Sequence, residues 1–318
     1  MPKPLPNWET LTPDDARPFG EIRLIAADLD GTLVRTGSSE IFGVIAKLRR
    51  SLAHPRYGVA FTIATGRAMA GVNYLVRGIG IAASVPLVLY NGSVVAENLT
   101  GKLLHHPVIN HDVVRRVVSA LEKLSVTILT YHLAYTTSSI FTSDNAIFTE
   151  VVFGWSKTDF MEHEFNGLTV KWMKTWSEIP QFDASAILVL VDSTNMLMAV
   201  DAAIKQIPGL SITLSGGQHL EIRPAGSNKA QGLAVAAKAL GISREEVLAL
   251  GDNDNDADML SWAGIGVSIG NASELAQQCS DYQCRYDVEQ GAIEVLRLVR
   301  QARRYFHEPQ HERKRGAK

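Results

Sequence analysis

Short apolar runs that stop abruptly at polar residues or glycine recur along the chain. Leu24-Ile-Ala-Ala27 ends at Asp28-Leu-Asp30-Gly-Thr32, Tyr57 to Ala64 ends at Thr65-Gly66-Arg67, and Pro86 to Tyr90 ends at Asn91-Gly92. Runs this short and this apolar read as strands buried on both faces. Between them the apolar positions switch to helical spacing. Ile41, Val44, Ile45 and Leu48 form one such face, with Ser38 or Ser39 as a cap, and Met69, Val72, Leu75 and Val76 form the next. The alternation returns after Leu220. There the chain predicts a helix over Asn228 to Leu240 with Lys229 in its first turn, then a strand over Glu246 to Leu250. Next come an apolar run from Gly266 to Gly270, a helix from Ser273, a short strand near Tyr282, and a last helix from Gln290 to about Arg303. Strands alternating with helices predict a parallel sheet, whose strand ends gather polar residues along one edge.

The middle of the chain has a different rhythm. Ser93 to Glu97 and Lys102 to Val108, joined through Leu99-Thr-Gly101, predict a hairpin. Val113, Val114, Val117, Leu121 and Leu124 predict a helix. Val126 to Leu133, Thr169 to Met173, Ala184 to Val191 and Leu210 to Leu214 predict strands, with another helix near Met196 to Ile204. The expected organisation is an α/β protein: a doubly wound parallel-sheet (Rossmann-like) core from residues 20–92 and 218–305, with an inserted α+β domain at 93–217. Residues 1–19, rich in proline and without periodicity, read as an N-terminal extension, and 306–318 as a charged tail with no apolar face. Trp155, Trp172 and Trp176 are expected in the core or on the sheet face of the insertion. The chain has no internal repeat.

Composition adds exclusions. With 46% apolar and 20% charged residues among 318, the chain can fill the cores of two compact units. A formal net charge of −2 gives no general attraction to nucleic acid or anionic membrane. No apolar run approaches the ~20 residues that span a bilayer. The first residues carry no apolar secretion signal, so the cytoplasm is the expected compartment. Cys279 and Cys284 lack the further ligands of a zinc site and are expected to be small buried or half-buried residues. His105 and His106 are expected at the surface.

Candidate chemistry begins with Asp28 and Asp30. Their i, i+2 spacing on a strand puts both carboxylates on one face, and two like charges held close are costly unless a cation joins them or one stays protonated. An Asp-Gly turn after a core strand and a metal-assisted site with an aspartate nucleophile both fit this stretch. The acidic run Asp252, Asp254, Asp256 and Asp258 has the alternation of a calcium loop. That reading fails, because Ala257 stands at the required glycine and Ala263 at the bidentate position. The run follows a buried strand instead and so lies on the same edge as Asp28. That edge gathers Asp28, Asp30, Thr65, Asn91, Lys229, Asp252, Asn255 and Asp256.

In this order, around an insertion, these residues resemble the haloacid dehalogenase-like superfamily, and within it the Cof-type phosphatases with a type IIB cap. The resemblance covers about residues 22–303. Asp28-Leu-Asp30-Gly-Thr32 is similar to the first motif, Thr65-Gly66-Arg67 to the second, Lys229 to the third, and Gly251-Asp-Asn-Asp-Asn-Asp256-Ala-Asp-Met259 to the fourth. Tyr90-Asn91-Gly92 and Gly266 to Ala272 are typical companions. The resemblance implies a Mg²⁺ ion held by the Asp28 side chain, the Asp30 main-chain carbonyl and Asp252. It makes Asp28 the nucleophile that becomes an aspartyl-phosphate, and Asp30 the acid and then the base. Thr65, the Gly66 and Leu29 amides, Lys229 and Asn255 would hold phosphate oxygens, Asp256 would orient Lys229, and Asn91 would support the site. A carboxylate at Asp30 separates phosphatases from true dehalogenases, which have no leaving alkoxide to protonate. Two departures stand out: Ala230 where glycine often follows the lysine, and Cys284 to Gly291 without the usual Thr and Asn. The implied activity is hydrolysis of small phosphomonoesters, sugar or polyol phosphates, under a closing cap. A phosphosugar mutase and a non-catalytic binding protein are the alternatives on the same fold.

Overall fold

The computed structural model describes residues 1–35, 43–98, 100–136, 147–156, 158, 164–165, 167–178, 181–215 and 219–307. The chain opens with β1 (Lys3–Pro4), α1 (Pro13–Gly20), β2 (Leu24–Ala27), α2 (Gly43–Leu52), β3 (Ala60–Ile63), α3 (Met69–Ile79), β4 (Pro86–Leu89), β5 (Val94–Glu97) and β6 (Leu103–His105). The insertion follows as α4 (His111–Leu121), β7 (Thr127–Thr136), β8 (Ile147–Ser156), β9 (Glu164–Phe165), β10 (Leu168–Trp172), β11 (Ala186–Leu190), α5 (Thr194–Ile204), β12 (Leu210–Ser215) and β13 (His219–Pro224). The chain then returns with α6 (Lys229–Ala239), β14 (Val247–Gly251), α7 (Ala257–Trp262), β15 (Ile265–Ser268), α8 (Glu274–Gln278), β16 (Tyr282–Gln283) and α9 (Val288–His307). The expected cap at Ser38 or Ser39 and most of the tail lie outside the described residues.

The core sheet runs β1-β16-β15-β14-β2-β3, parallel throughout. From β2 the chain winds one way to β3; on its return it winds the other way from β14 to β15 and β16. β2 and β14 are therefore neighbours where the winding reverses, the point at which strand ends part and leave a crevice. Ala27 pairs with Leu250, and the Asp28 amide donates to the Leu250 carbonyl at 2.9 Å. This register sets the ends of both strands, and so Asp28 and Asp252, at one opening. All four β2 residues are buried, as the unbroken apolar run requires.

Two expectations change at the boundary of the insertion. β4 lies beside β3 but shares no ladder with it beyond the isolated parallel Ala64–Val88 bridge, and pairs instead with β5 in an antiparallel sheet, β4-β5-β6. Pro86 has no N–H to give a ladder, and its carbonyl is taken by the Thr62 hydroxyl at 2.5 Å. The hairpin that the pattern assigns to the insertion therefore continues the core, with Val94, Val95 and Ala96 fully buried. At the other end, β13 lies beyond residue 217 and pairs antiparallel with β11 and β12, inside the sheet of the insertion.

That second sheet has the order β12-β13-β11-β7-β8-β10-β9. One face lies under α4 and α5, where Val114, Val117, Val118, Val200 and Ile204 meet Ile128, Trp155, Ile187, Val189, Leu220 and Ile222. The alternate residues Leu129, Tyr131, Val152, Val170 and Leu188 join the apolar cluster of the core. The strict period of two thus turns Glu221 and Arg223 of β13 away from the helices and toward the core, as it does Glu150 of β8. β8 itself carries apolar residues on both faces and no turn signals of its own, and the sequence pattern does not mark it. Trp155 is 1% exposed, as expected for a core aromatic. His105 and His106 are half-buried rather than superficial, with His106 Nε2 2.9 Å from the Ser185 hydroxyl. Cys279 is half-buried and Cys284 buried, both free.

The N-terminal residues are not a loose extension. Thr12 caps α1 by accepting from the Asp15 amide at 3.2 Å, and Pro13 fills the first helical position. Leu5, Leu11, Ala16 and Phe19 are buried. α1 lies along α9, where the Arg303 guanidinium donates to the Gly20 carbonyl (2.8 Å) and the Tyr305 hydroxyl to that of Leu11 (2.9 Å). So short a helix, with few apolar positions among prolines, has no period to read. Because the Phe19 ring is fully buried 5.2 Å from that of Tyr282, Phe19→Ala should cost about 3–5 kcal/mol of stability, read by denaturant unfolding. A loss below about 1 kcal/mol would show that the segment is only laid on the surface.

Candidate active site

The Lys229 ammonium is the centre of the crevice. Lys229 opens α6, whose start is fixed by Asn228: the Asn228 side chain accepts from the Gln231 amide at 2.8 Å. Gly92 packs so tightly there that a Cβ on it would stand 1.9 Å from the Asn228 carbonyl, with φ at +95°. Only glycine fits. From this turn Lys229 reaches inward, fully buried, and its Nζ donates to Asp28 Oδ1 and to Asp256 Oδ1, both at 2.6 Å. The second Asp256 oxygen accepts from the Asp252 and Asn253 amides at 2.9 and 3.0 Å. Asp252 is held by the Thr32 hydroxyl at 2.7 Å and lies against Gly31, whose φ of +92° and lack of Cβ admit it. One oxygen each from Asp28, Asp252 and Asp256 fall within 4.8 Å of one another.

A second group surrounds this one. Asp30 is paired with Arg67 through both oxygens, Nε at 2.8 Å and Nη2 at 2.5 Å. Thr65 is buried, and its hydroxyl accepts from the Arg67 amide at 3.2 Å. Asn255 Nδ2 donates to Asn91 Oδ1 at 3.2 Å, and Asn91 Nδ2 in turn donates to Glu221 of the insertion. Gly66 lies beside Asn91 and Glu221. The Leu29 side chain points into the core, so only its main chain faces the crevice. Every residue expected on this edge is thus at or beside the crevice.

The model of the haloacid dehalogenase-like hydrolases matches residues 25–296. The chain belongs to that family. Phosphatase YwpJ of Bacillus subtilis is 26% identical to this hydrolase over 302 residues, 87% of this chain and 99% of the relative. A HAD/COF-like hydrolase from Plasmodium vivax has the same fold, with TM-score 0.72 and 20% identity over 91% of this chain and 98% of the other. The subclass IIB sugar phosphatase BT4131 matches with TM-score 0.64 and 19% identity, over 82% and 92% of the two chains. The family to which this hydrolase belongs hydrolyses phosphate esters, and its insertion shares the fold of the subclass IIB neighbour.

Electrostatics of the cluster show what this hydrolase needs. Burial pushes the Asp28 carboxyl well up; Lys229 pulls it down, and Asp256 and Asp252 push it up again. Burial, then Asp256, raises Asp252 to about 6. Burial would depress Lys229, but Asp256 and Asp28 outweigh it and hold the ammonium above its ordinary value. Three carboxylates face one ammonium in a dry crevice. Hard oxygen donors with negative charge in excess suit a divalent cation of the Mg²⁺ or Ca²⁺ type. Asp256 has both oxygens engaged by Lys229 and by amides, which leaves Asp28 and Asp252 as the carboxylates open to such an ion.

Arg67, Thr32, Glu221 and Arg223 are not among the site residues that the sequence analysis singled out. Arg67 and Thr32 stand inside quoted motifs, and Glu221 and Arg223 had a usable signal: two opposite charges spaced i, i+2 on one face of a strand.

The pKa of Asp252, about 6 in the folded state, lies above its ordinary 3.8. Its stabilising proton is therefore fully bound below the ordinary value and is lost as pH rises through about 6. A divalent cation held by Asp252 would compete with that proton. The rise in Tm on exchanging chelator for a divalent salt should accordingly grow between about pH 5 and about pH 7. An increment that is flat or shrinks over that range would show that Asp252 does not hold the ion.

Proposed function

We propose that this hydrolase is a Mg²⁺-dependent phosphatase of small phosphomonoesters, with sugar or polyol phosphates as the substrate class, working through an aspartyl-phosphate on Asp28. The observation that carries the reading is the buried Lys229 ammonium held at 2.6 Å from both Asp28 and Asp256, with Asp252 alongside. Nucleophile, counter-charge and cation ligand form one cluster. Mg²⁺ held by Asp28, Asp252 and the Asp30 main-chain carbonyl would supply the charge that lets a dianionic ester approach a carboxylate.

The residues then divide the work. An Asp28 oxygen attacks phosphorus in line, forming the acyl-phosphate bond as the ester P–O bond breaks, and the leaving oxygen takes a proton from Asp30. Water attacks the same phosphorus in the second step, giving its proton to Asp30, and the bond to Asp28 breaks to release phosphate. Lys229, the Asn255 amide, Thr65 and the Gly66 and Leu29 amides neutralise and orient the equatorial oxygens, where fixed donors in a dry site act most strongly. Asp256 holds Lys229 in line, and Asp30 takes up its acid role on leaving the bidentate pairing with Arg67. The cap, packed onto the core through one face of its sheet, shields the reaction from water and favours small esters over phosphorylated side chains of folded proteins. The phosphatase names of full-length relatives support the reaction class.

Hydrolysis of an aryl phosphate, followed by phosphate release, tests this. Chelation should abolish turnover and Mg²⁺ restore it, and Asp28→Asn should leave only background. Turnover that survives Asp28→Asn would sink the covalent route. Asp30→Asn should lower kcat by about 10²–10⁴-fold, with a smaller loss for aryl leaving groups, which need little protonation, than for alkyl ones. Equal losses for both would remove Asp30 from the acid role. A panel of phosphorylated metabolites then fixes the substrate.

A further inference from the structure

Tyr90 and Asn91 follow β4 with φ of +49° and +50°. Neither is glycine, and left-handed backbone costs each of them free energy that surrounding contacts must offset. The contacts come from both domains. On the core side, the Asn91 amide donates to the Thr65 carbonyl at 2.9 Å. On the cap side, Glu150 of β8 accepts from the Tyr90 hydroxyl at 2.7 Å, and Arg223 of β13 donates to the Asn91 carbonyl at 3.1 Å. Glu221, two residues before Arg223 and so on the same face of β13, accepts from Asn91 Nδ2.

The Asn91 side chain can sit only one way round. Its NH₂ faces the Glu221 carboxylate, which can only accept, and its oxygen faces the Asn255 NH₂, which can only donate. A flipped amide would oppose oxygen to oxygen and NH₂ to NH₂. Glu221 therefore fixes Asn91, and Asn91 engages one N–H of Asn255. That leaves the other N–H of Asn255 not engaged by Asn91. A carboxylate this close to Gly66 would by itself repel a phosphate. Its position makes sense as an anchor for the amide pair.

We propose that Glu221 is a positioning residue of the phosphate site, acting from the cap through Asn91 on Asn255. The proposal rests on the phosphatase reading for the role of Asn255. It makes the seating of β13 against the core a condition for strong phosphate binding, so that the cap contributes to the site without touching the phosphate.

The test is a double-mutant cycle on the full-length protein with Mg²⁺ present, read as the Kd for inorganic phosphate by calorimetry and, in parallel, as KM and kcat for an aryl phosphate. E221A and N255A should each weaken phosphate by about tenfold, and the double variant by no more than the worse single one. E221Q, whose carbonyl oxygen can still accept from Asn91, should recover most of the loss. If E221A melts too low to assay, E221D, which withdraws the carboxylate by one methylene, runs the same cycle. Independent losses that multiply to about a hundredfold in the double variant would overturn the relay. So would a variant with lowered Tm but unchanged Kd, since that marks a merely structural carboxylate. Wild-type protein that binds phosphate without turning over an ester would refute the phosphatase reading and leave the cycle to judge the relay. Wild-type protein that binds no phosphate would refute both.

Discussion

A buried ammonium between two buried carboxylates holds the crevice together. Lys229 and Asp28 are 201 residues apart in the chain and 2.6 Å apart in space. Desolvating such groups is expensive, and removing any one partner would strand a charge in a dry interior. That constraint fixes the surrounding backbone. Gly92 lacks a side chain because the turn that launches Lys229 would collide with one, and Gly31 lacks one because Asp252 occupies the space. The two halves of the core, separated by the insertion, are therefore joined by more than sheet pairing. The cluster also carries excess negative charge, which suits the binding of a cation.

The cap is integrated into the same physics. Its sheet has one face for its own helices and one for the core, so the main apolar cluster runs through both domains. On the core-facing side, period-two alternation delivers Glu150, Glu221 and Arg223 to a single turn, Tyr90–Gly92. Polar residues on an otherwise apolar sheet face are a liability unless satisfied; here each has a partner in the turn, and Arg223 a second in Thr213, while the Arg223 Nε stays buried without one. The turn in turn borders Thr65 and Asn255. The junction between domains and the rim of the active site share the same residues.

How much of this can be read from the chain follows from where the information lies. Buried parallel strands are apolar on both faces and end at the residues that do the chemistry, so Asp28, Thr65 and Asp252 stand out as full stops after apolar runs. Lys229 is legible through its place in the first turn of the returning helix and its likeness to the third motif. The boundary of the insertion is less so: β5 continues from β4 as an antiparallel partner, and β13 resembles a core strand until its pairing with β11 is known. Glu221 escapes notice because its meaning lies in Asn91, 130 residues earlier. The N-terminal helix escapes because proline masks a short amphipathic face. Long-range pairing, not local pattern, carries what is missing.

Glu150 gives the junction a further significance. Its two oxygens accept from the Met69 and Ala70 amides at 2.8 Å each, completing the first turn of α3, whose own capping position is Ala68 and offers no side-chain acceptor. A helix of one domain is thus finished by a carboxylate from the other. Caps and cores of this kind are not freely interchangeable modules: a chimaera that exchanged the insertion without an acid at this place would inherit an open helix end, and recombination between relatives would be filtered at a contact that takes no part in the chemistry.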